Sequence, residues 1–371
     1  MEIKNQIELQ KTSLDVNSNK WWRAILYEDN STKIEYGRVG DSCVRPFFNK
    51  SWDELQRRAK SKIKEGYNEI KLNEIKVQVE DTGLPQKVVK RINNIFKETK
   101  DYLNLTSTLD TSNLSIDQLD AGKAALRQLS VNRDLETLSK YFNLVPTILP
   151  RKIDKHYELS RILSNLQSEQ DRIDALISNV NSVVILQKGG NLFNQLGANL
   201  TENLDIDKYQ DWINKTSRHG YKYQVKEVWD VNSFNEKEKK SDIDNIKELF
   251  HATKRPFVKS ILTTGLNCPK YASNGRMYGN GVYFADTCSK SLNYTEGSGD
   301  CYLFIAEVKL GNIYKTKGCQ DWNDVPKGYN SLFAEAGQMA GAWGNNLRFN
   351  EYVIYKENQQ RLKNLLIISK I

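Results

Sequence analysis

The chain has 371 residues, 39% of them apolar and 10% aromatic, a globular composition with room for about two or three domains. No apolar run is long enough for a membrane helix, and no basic-then-apolar N-terminus suggests a signal peptide. The 54 Lys and Arg against 46 Asp and Glu leave a net charge of +8, compatible with a nucleic-acid partner, although both signs are interspersed along most of the chain. The five cysteines form no C-x-x-C pair, which argues for a reducing compartment and against zinc fingers, and three histidines are too few for a His-based metal site.

Residues 1–80 read as a small α+β module. Trp21 to Tyr27 and Lys33 to Val39 alternate as strands, the second ending at Gly40. Ser51 and Glu54 form a capping-box pattern before a helix whose apolar face is Trp52, Leu55, Ala59 and Ile63. Its other face carries Arg57, Arg58, Lys60, Lys62 and Lys64, and Gly66 is a natural stop.

Pro85 opens a stretch that reads as helical to about residue 215. Its stripes are Val88, Ile92, Ile95 and Phe96; Leu119, Leu126 and Leu129 behind the capping pattern Ser115 to Gln118; Leu159, Ile162, Leu163 and Leu166; and Ile173, Leu176, Ile177, Val180 and Val184. Thr106 to Asn113 and Val145 to Pro150 read as turns between them. From about Thr216 strands take over: Tyr223 to Val231, Tyr302 to Leu310, Tyr352 to Tyr355 and Leu365 to Ser369, with a charged loop at Asn235 to Lys240.

Four short stretches in this last part carry reactive side chains: Leu249-Phe250-His251-Ala252-Thr253, Gly279-Asn280-Gly281-Val282-Tyr283-Phe284-Ala285-Asp286, Ser289-Lys290-Ser291-Leu292-Asn293-Tyr294, and Asn350-Glu351-Tyr352. The glycine pair lacks the third Gly and the following helix of a Rossmann turn, and the sequence has no P-loop. In order and spacing these stretches resemble the catalytic domain of the poly(ADP-ribose) polymerases, the diphtheria-toxin-like branch of the ADP-ribosyltransferases. His251, Tyr283 and Glu351 fall on the three signature positions. A leading His, not an Arg, separates the chain from the arginine-based toxin branch, and Ala252 stands where the family has Gly.

The resemblance implies NAD as substrate and no metal. It assigns Glu351 to stabilising the ribose cation formed as nicotinamide leaves and to activating the acceptor hydroxyl. His251, assisted by Thr253, would bind the adenosine ribose, and the Ala252 backbone would hold the nicotinamide amide together with Ser291. Tyr283 and Tyr294 would sandwich the ring, with Lys290 beside the ribose or the acceptor.

Tyr36-Gly37-Arg38, with Trp21 on the preceding strand, resembles the Trp-Gly-Arg motif of the WGR module, the DNA-end sensor of DNA-dependent members. The helical stretch resembles their regulatory domain. The expected architecture is α+β multidomain: a WGR-like DNA-sensing domain (1–80), an all-α helical regulatory domain (82–215), and a mixed α/β ADP-ribosyltransferase domain built on antiparallel sheets (216–371). The expected function is transfer of ADP-ribose to protein, the chain itself included, with polymer elongation stimulated by DNA ends or nicks and held back by the helical domain. Two rival readings are a DNA-end-binding protein with a degenerate transferase site and a mono-ADP-ribosyltransferase. The expected location is nuclear in a eukaryote and otherwise cytoplasmic at the nucleoid, away from membranes.

Overall fold

In the computed structural model, the described residues are 3–39, 41, 43, 45–70, 83–106, 114–150, 152–187, 191–218, 220, 222–234, 242–269, 277–295, 299–318, 324–337, 339–340 and 345–371. Gly40, most of the expected turn at Thr106 to Asn113, the loop at Asn235 to Lys240 and the side chain of Val184 lie outside them. The chain divides into two compact units, residues 1–79 with 100–189, and residues 80–99 with 190–371.

The first unit begins with a five-stranded antiparallel sheet formed by β1 (Ile3–Ser13), β2 (Ser18–Tyr27), β3 (Thr32–Arg38), β4 (Phe47–Phe48) and β5 (Asn68–Ile70), in the order β4-β3-β2-β1-β5. Helix α1 (Trp52–Lys64) covers one face, setting Leu55 and Ala59 against Leu9, Trp22, Ala24 and Ile34. The Ser51 hydroxyl accepts from the Glu54 N–H at 3.2 Å, so the cap forms. The reciprocal half of the box does not, because the Glu54 carboxylate is taken by Arg58 at 2.6 Å. Ile63, expected on the buried face, is exposed in the last turn.

Helix α2 (Gln86–Thr106) contributes residues 86–99 to the second unit. Helices α3 (Ile116–Asn132), α4 (Leu135–Leu144), α5 (Lys155–Leu163) and α6 (Leu166–Gln187) complete the first. The apolar stripe read across residues 159–166 thus spans two helices. Gly122 lets the backbone of α3 approach Val145, whose Cγ2 would lie 2.5 Å from an added Cβ. A buried triad fixes the segment after α4: Tyr141 donates to Glu169 at 2.7 Å, and Arg172 donates to Glu169, the Tyr141 oxygen and the Pro146 carbonyl. The Asn143 carboxamide pairs with both backbone groups of Thr12, accepting at 2.6 Å and donating at 2.9 Å. That strand-like contact joins the β1 sheet to α4.

The second unit contains α7 (Leu192–Leu196), β6 (Ala198–Asn203), α8 (Ile206–Thr216), β7 (Tyr223–Ser233), β8 (Ile246–Thr253), α9 (Val258–Thr264), β9 (Val282–Phe284), α10 (Cys288–Leu292), β10 (Cys301–Lys309), β11 (Ile313–Lys315), β12 (Ser331–Ala334), the short pair β13 (Met339–Ala340) and β14 (Asn345–Asn346), β15 (Glu351–Ile354) and β16 (Gln360–Lys370). One sheet is antiparallel throughout, in the order β6-β7-β16-β10-β8. The other runs β11-β12-β15-β9. Strand alternation divides β10 between two cores. Tyr302, Phe304, Ala306 and Val308 pack toward α2, α7 and α9, while Leu303 and Ile305 pack toward α8 and α10.

The stretch read as helical to 215 therefore contains a strand, β6. Ala198 and Leu200 are buried between polar Asn199 and Thr201, and β6 pairs with β7 along its length. The helical residues 86–99 also belong to the core of the second unit. Val88, Ile92 and Ile95 pack with Trp229, Tyr302 and Leu365. Arg91 holds Glu227 with two bonds of 2.9 and 2.7 Å, and Glu227 accepts from the Trp229 indole at 2.8 Å.

A fragment of residues 216–371 lacks all of this cover and is expected to aggregate. In the full chain Ile92→Ala should destabilise the second unit by about 2–5 kcal/mol in urea melts. A wild-type melt for the variant would detach α2 from that core.

Lys259 on α9 is 1% exposed, with its ammonium group 4.7 Å from the centre of the Phe96 ring. Burial pulls its pKa from 10.5 down to about 7. Between those values the unfolded chain holds a proton that the folded chain does not. Stability should therefore rise with pH across that window, by up to about 1.4 kcal/mol per pH unit. Lys259→Met should flatten the rise in melts taken at several pH values and raise stability at pH 7. An unaltered slope would assign the effect to another group.

Candidate active site

Strand β8 is an edge strand, and its pairing with β10 dictates what it offers. In an antiparallel ladder, alternate residues turn both backbone groups toward the partner or away from it. Phe250 turns away from β10. Its N–H donates to the Ala285 carbonyl at 2.8 Å, and its carbonyl accepts from the Ala285 N–H at 3.0 Å. With no register break along β8, Ala252 presents its N–H and C=O on the same outer edge. Its methyl group points into the core with Phe250, Cys288 and Leu303.

His251 points to the opposite face. Its Nδ1 lies 3.0 Å from the Tyr283 carbonyl, and its ring meets Phe284 edge-on at 5.8 Å. A carbonyl only accepts, so Nδ1 carries the proton and Nε2 is left as an acceptor. Burial lowers the pKa of the ring, which favours that neutral form. Thr253, half-buried, ends the strand opposite Tyr302.

Tyr283 lies on β9. Its hydroxyl donates to the Gly279 carbonyl and accepts from the Tyr278 N–H, both at 2.9 Å, while Tyr355 donates to the Tyr278 carbonyl at 2.5 Å. Two tyrosines thus fix the turn that leads into β9. Gly281 is needed there because a Cβ would lie 2.3 Å from Val353 Cγ1.

Helix α10 and the turn after it carry Lys290, Ser291 and Tyr294. The Ser291 hydroxyl donates to the Phe250 carbonyl at 3.1 Å, which ties α10 to the same edge of β8. Its single proton is spent there, and its oxygen remains able to accept. Tyr294 is half-exposed. Lys290 donates to the Tyr294 hydroxyl at 3.3 Å and forms an ion pair with Glu351, the first residue of β15, which is 2% exposed. Burial opposes the Lys290 charge, but the Glu351 carboxylate outweighs it and raises the pKa.

The residues singled out in the last part of the sequence therefore meet around the outer edge of β8. His251 touches β9, Ser291 touches Phe250, and Lys290 links Tyr294 to Glu351. Lys247, Asp286, Asn350 and Tyr352 also join the site, and sequence reasoning gave them no role. The last three lie inside the stretches quoted for their neighbours. Among the described residues no group of His, Cys, Asp or Glu could hold a metal ion, and no helix is long and apolar enough to cross a membrane.

In the first unit Tyr36 is half-buried and stacks on exposed Phe47, with ring centres 6.0 Å apart and planes 14° from parallel. The Arg38 guanidinium donates to the carbonyl of Pro150 at 2.7 Å and to that of Asn17 at 3.3 Å. Trp21, expected beside them at a DNA surface, is buried. Its indole N–H donates to the Arg38 carbonyl at 3.0 Å, so it supports the motif from beneath.

Residues 204–342 match the poly(ADP-ribose) polymerase catalytic domain, a match that ends before Glu351. The chain is 31% identical over 181 residues to "Putative poly [ADP-ribose] polymerase-like 100L" of Invertebrate iridescent virus 6, covering 46% of this chain and 96% of the viral protein. It is 22% identical over 350 residues to "Poly [ADP-ribose] polymerase 1" of Gallus gallus, covering 76% of this chain and 34% of the relative. Against "Poly [ADP-ribose] polymerase" of Drosophila melanogaster it is 20% identical over 440 residues, covering 96% of this chain and 44% of the relative. The chain thus spans about a third to under a half of these two longer relatives. It belongs to the poly(ADP-ribose) polymerase family, and its second unit carries the family's NAD-using ADP-ribosyltransferase domain.

Proposed function

We propose that the chain transfers ADP-ribose from NAD to protein acceptors, itself included, and elongates the product into a polymer. One observation carries this reading: the buried Glu351 carboxylate pairs with Lys290, next to Ser291, whose hydroxyl is bonded to the Phe250 carbonyl on the strand that carries His251 and Ala252. The N–H and C=O of Ala252 match a carboxamide, which has one acceptor oxygen and a donor N–H₂. Nε2 of His251 accepts from a ribose hydroxyl, and Tyr283 and Tyr294 flank the nicotinamide ring.

The bond from the anomeric carbon to the nicotinamide nitrogen breaks, and its electron pair leaves with nicotinamide. Glu351 stabilises the ribose cation left behind. In elongation an acceptor hydroxyl then bonds to that carbon and passes its proton to the Glu351 carboxylate, which orients it and later releases the proton to water. Lys290 holds the carboxylate in place. Ala252 is no obstacle, because its methyl group points away from the strand edge.

Incubation with labelled NAD tests the reading. Polymer is expected from the wild type, short product would favour mono transfer, and no product would favour a degenerate site. Glu351→Gln should lower elongation by about a hundredfold at an unchanged thermal melt. Undiminished polymer from that variant would remove Glu351 from the mechanism.

We also propose that DNA ends or nicks stimulate the activity, and that the helical bundle holds it back until DNA shifts the conformational equilibrium. The exposed residues Phe47, Arg57, Arg58, Lys60 and Lys64 support a nucleic-acid surface on the β1–β5 module. The bond from Arg38 to Pro150 supports a route from that module into the bundle. Tyr36→Ala should weaken DNA binding about tenfold or more, since stacking of a base on an aromatic ring contributes about 1–3 kcal/mol. Arg38→Ala should lose stimulation more than binding. Equal activity with and without nicked DNA at low salt would refute the switch.

A further inference from the structure

Asp286 lies two residues beyond β9 and has no part in the chemistry above. Its carboxylate accepts from the Asn350 carboxamide at 2.8 Å and from the Tyr352 hydroxyl at 3.3 Å, both on Oδ2, while Thr287 donates to Oδ1 at 3.1 Å. Asn350 and Tyr352 are the two neighbours of Glu351 in the chain. One carboxylate therefore grips the residue before Glu351 and the residue after it.

Each grip is secured a second time. The Asn350 oxygen accepts from the Ala336 N–H at 2.9 Å, so its carboxamide is spent on both sides. The Tyr352 oxygen accepts from Lys247 at 2.7 Å, and that ammonium group lies 4.5 Å from the centre of the tyrosine ring. Lys247 is on β8, so the clamp ties the ligand-facing strand to β15. Burial raises the pKa of Tyr352 against the opposing bond from Lys247, so the hydroxyl keeps its proton for Asp286.

Backbone pairing alone leaves Glu351 less constrained. It is the first residue of β15, where the ladder with β12 ends at Ala334 and the ladder with β9 reaches only to Tyr352. A strand terminus frays unless side chains hold it. Displacement of a reacting group by about 1 Å costs on the order of a hundredfold in rate.

We infer that Asp286 is a positioning residue: it holds Asn350 and Tyr352 so that the Glu351 carboxylate stays fixed at the reacting ribose. This rests on the role of Glu351 proposed above. The action runs through Glu351, so the two residues should not behave independently.

The test is a double-mutant cycle on the full chain, reading kcat and KM for nicotinamide release from NAD, with a thermal melt of each variant. Asp286→Asn keeps the shape and removes the carboxylate. It should lower kcat about tenfold, leave KM within about threefold, and cause no further loss in the Glu351→Gln background. The exchange Asp286→Asn with Asn350→Asp restores a donor facing an acceptor and should recover most of kcat. Should Asp286→Asn fail to fold, Asn350→Ala and Tyr352→Phe release the same clamp from the other side and are read in the same cycle. Unchanged kcat in the clamp variants, or the same fold-loss with and without Glu351, would overturn the inference while leaving Glu351 in place. Full turnover by Glu351→Gln alone would overturn the role of Glu351 and the inference together.

Discussion

The site depends on how an antiparallel ladder spends its hydrogen bonds. Pairing with β10 consumes alternate backbone groups of β8 and leaves those of Phe250 and Ala252 on the outer edge. An open strand edge usually invites unwanted pairing. Here the edge is used in two parts. Phe250 closes on Ala285 and binds the two sheets together. Beyond that bridge no backbone bond is made to the outer edge at Ala252 among the described residues. The bridge also sets the place of β9, β15 pairs with β9, and Glu351 begins β15. The strand that carries Glu351 is thus located by a short series of backbone pairings that starts at one residue of β8.

Buried charge is handled differently in the helical bundle and at the candidate site. In the first, Arg172 is surrounded: Glu169, the Tyr141 oxygen, the Pro146 carbonyl and the Thr147 hydroxyl all accept from it. Such a network fixes one arrangement, although a buried pair adds little net stability. Lys290 has a carboxylate and a half-exposed phenol as partners, and its amine rides on the turn of a five-residue helix. Its single point charge neutralises Glu351 without the two-pronged grip that an arginine would impose. A rigid scaffold surrounds the site, while the ion pair inside it is held by one flexible arm.

Much of this could be read from the sequence because the relevant signals are local. The serine caps form as their spacing demands, with Ser115 accepting from the Gln118 N–H at 3.2 Å and Ser51 from the Glu54 N–H. What failed was tertiary. The Gln118 amide nitrogen donates to the Leu144 carbonyl while its oxygen does not accept from the Ser115 N–H, and Glu54 is drawn to Arg58. Strand β6 escaped notice because its alternation is brief and sits between two helices. The burial of Trp21 has a related cause. Both faces of β2 are covered there, so Trp21 and Trp22 are buried alike, and alternation does not mark which aromatic meets solvent. The order of motifs brought out His251, Tyr283 and Glu351. The grip of Asp286 on Asn350 and Tyr352 joins residues more than sixty apart, and no spacing rule reports it.

The one departure at the strand edge, Ala252 for glycine, follows from strand geometry. Glycine is required where the backbone turns to positive φ or where a Cβ would meet an obstacle. Ala252 has neither problem: it lies inside a regular strand and is absent from the positive-φ positions. In a strand the Cβ stands out of the sheet plane, while the N–H and C=O lie within it. The methyl therefore fills space beside Cys288 and Leu303, and the backbone groups keep their direction along the outer edge. At 7% exposure the position is nearly closed, which leaves room for a methyl and little more. The constraint at this position is the volume of the core behind the strand, and the backbone pair on the edge is unchanged by the substitution.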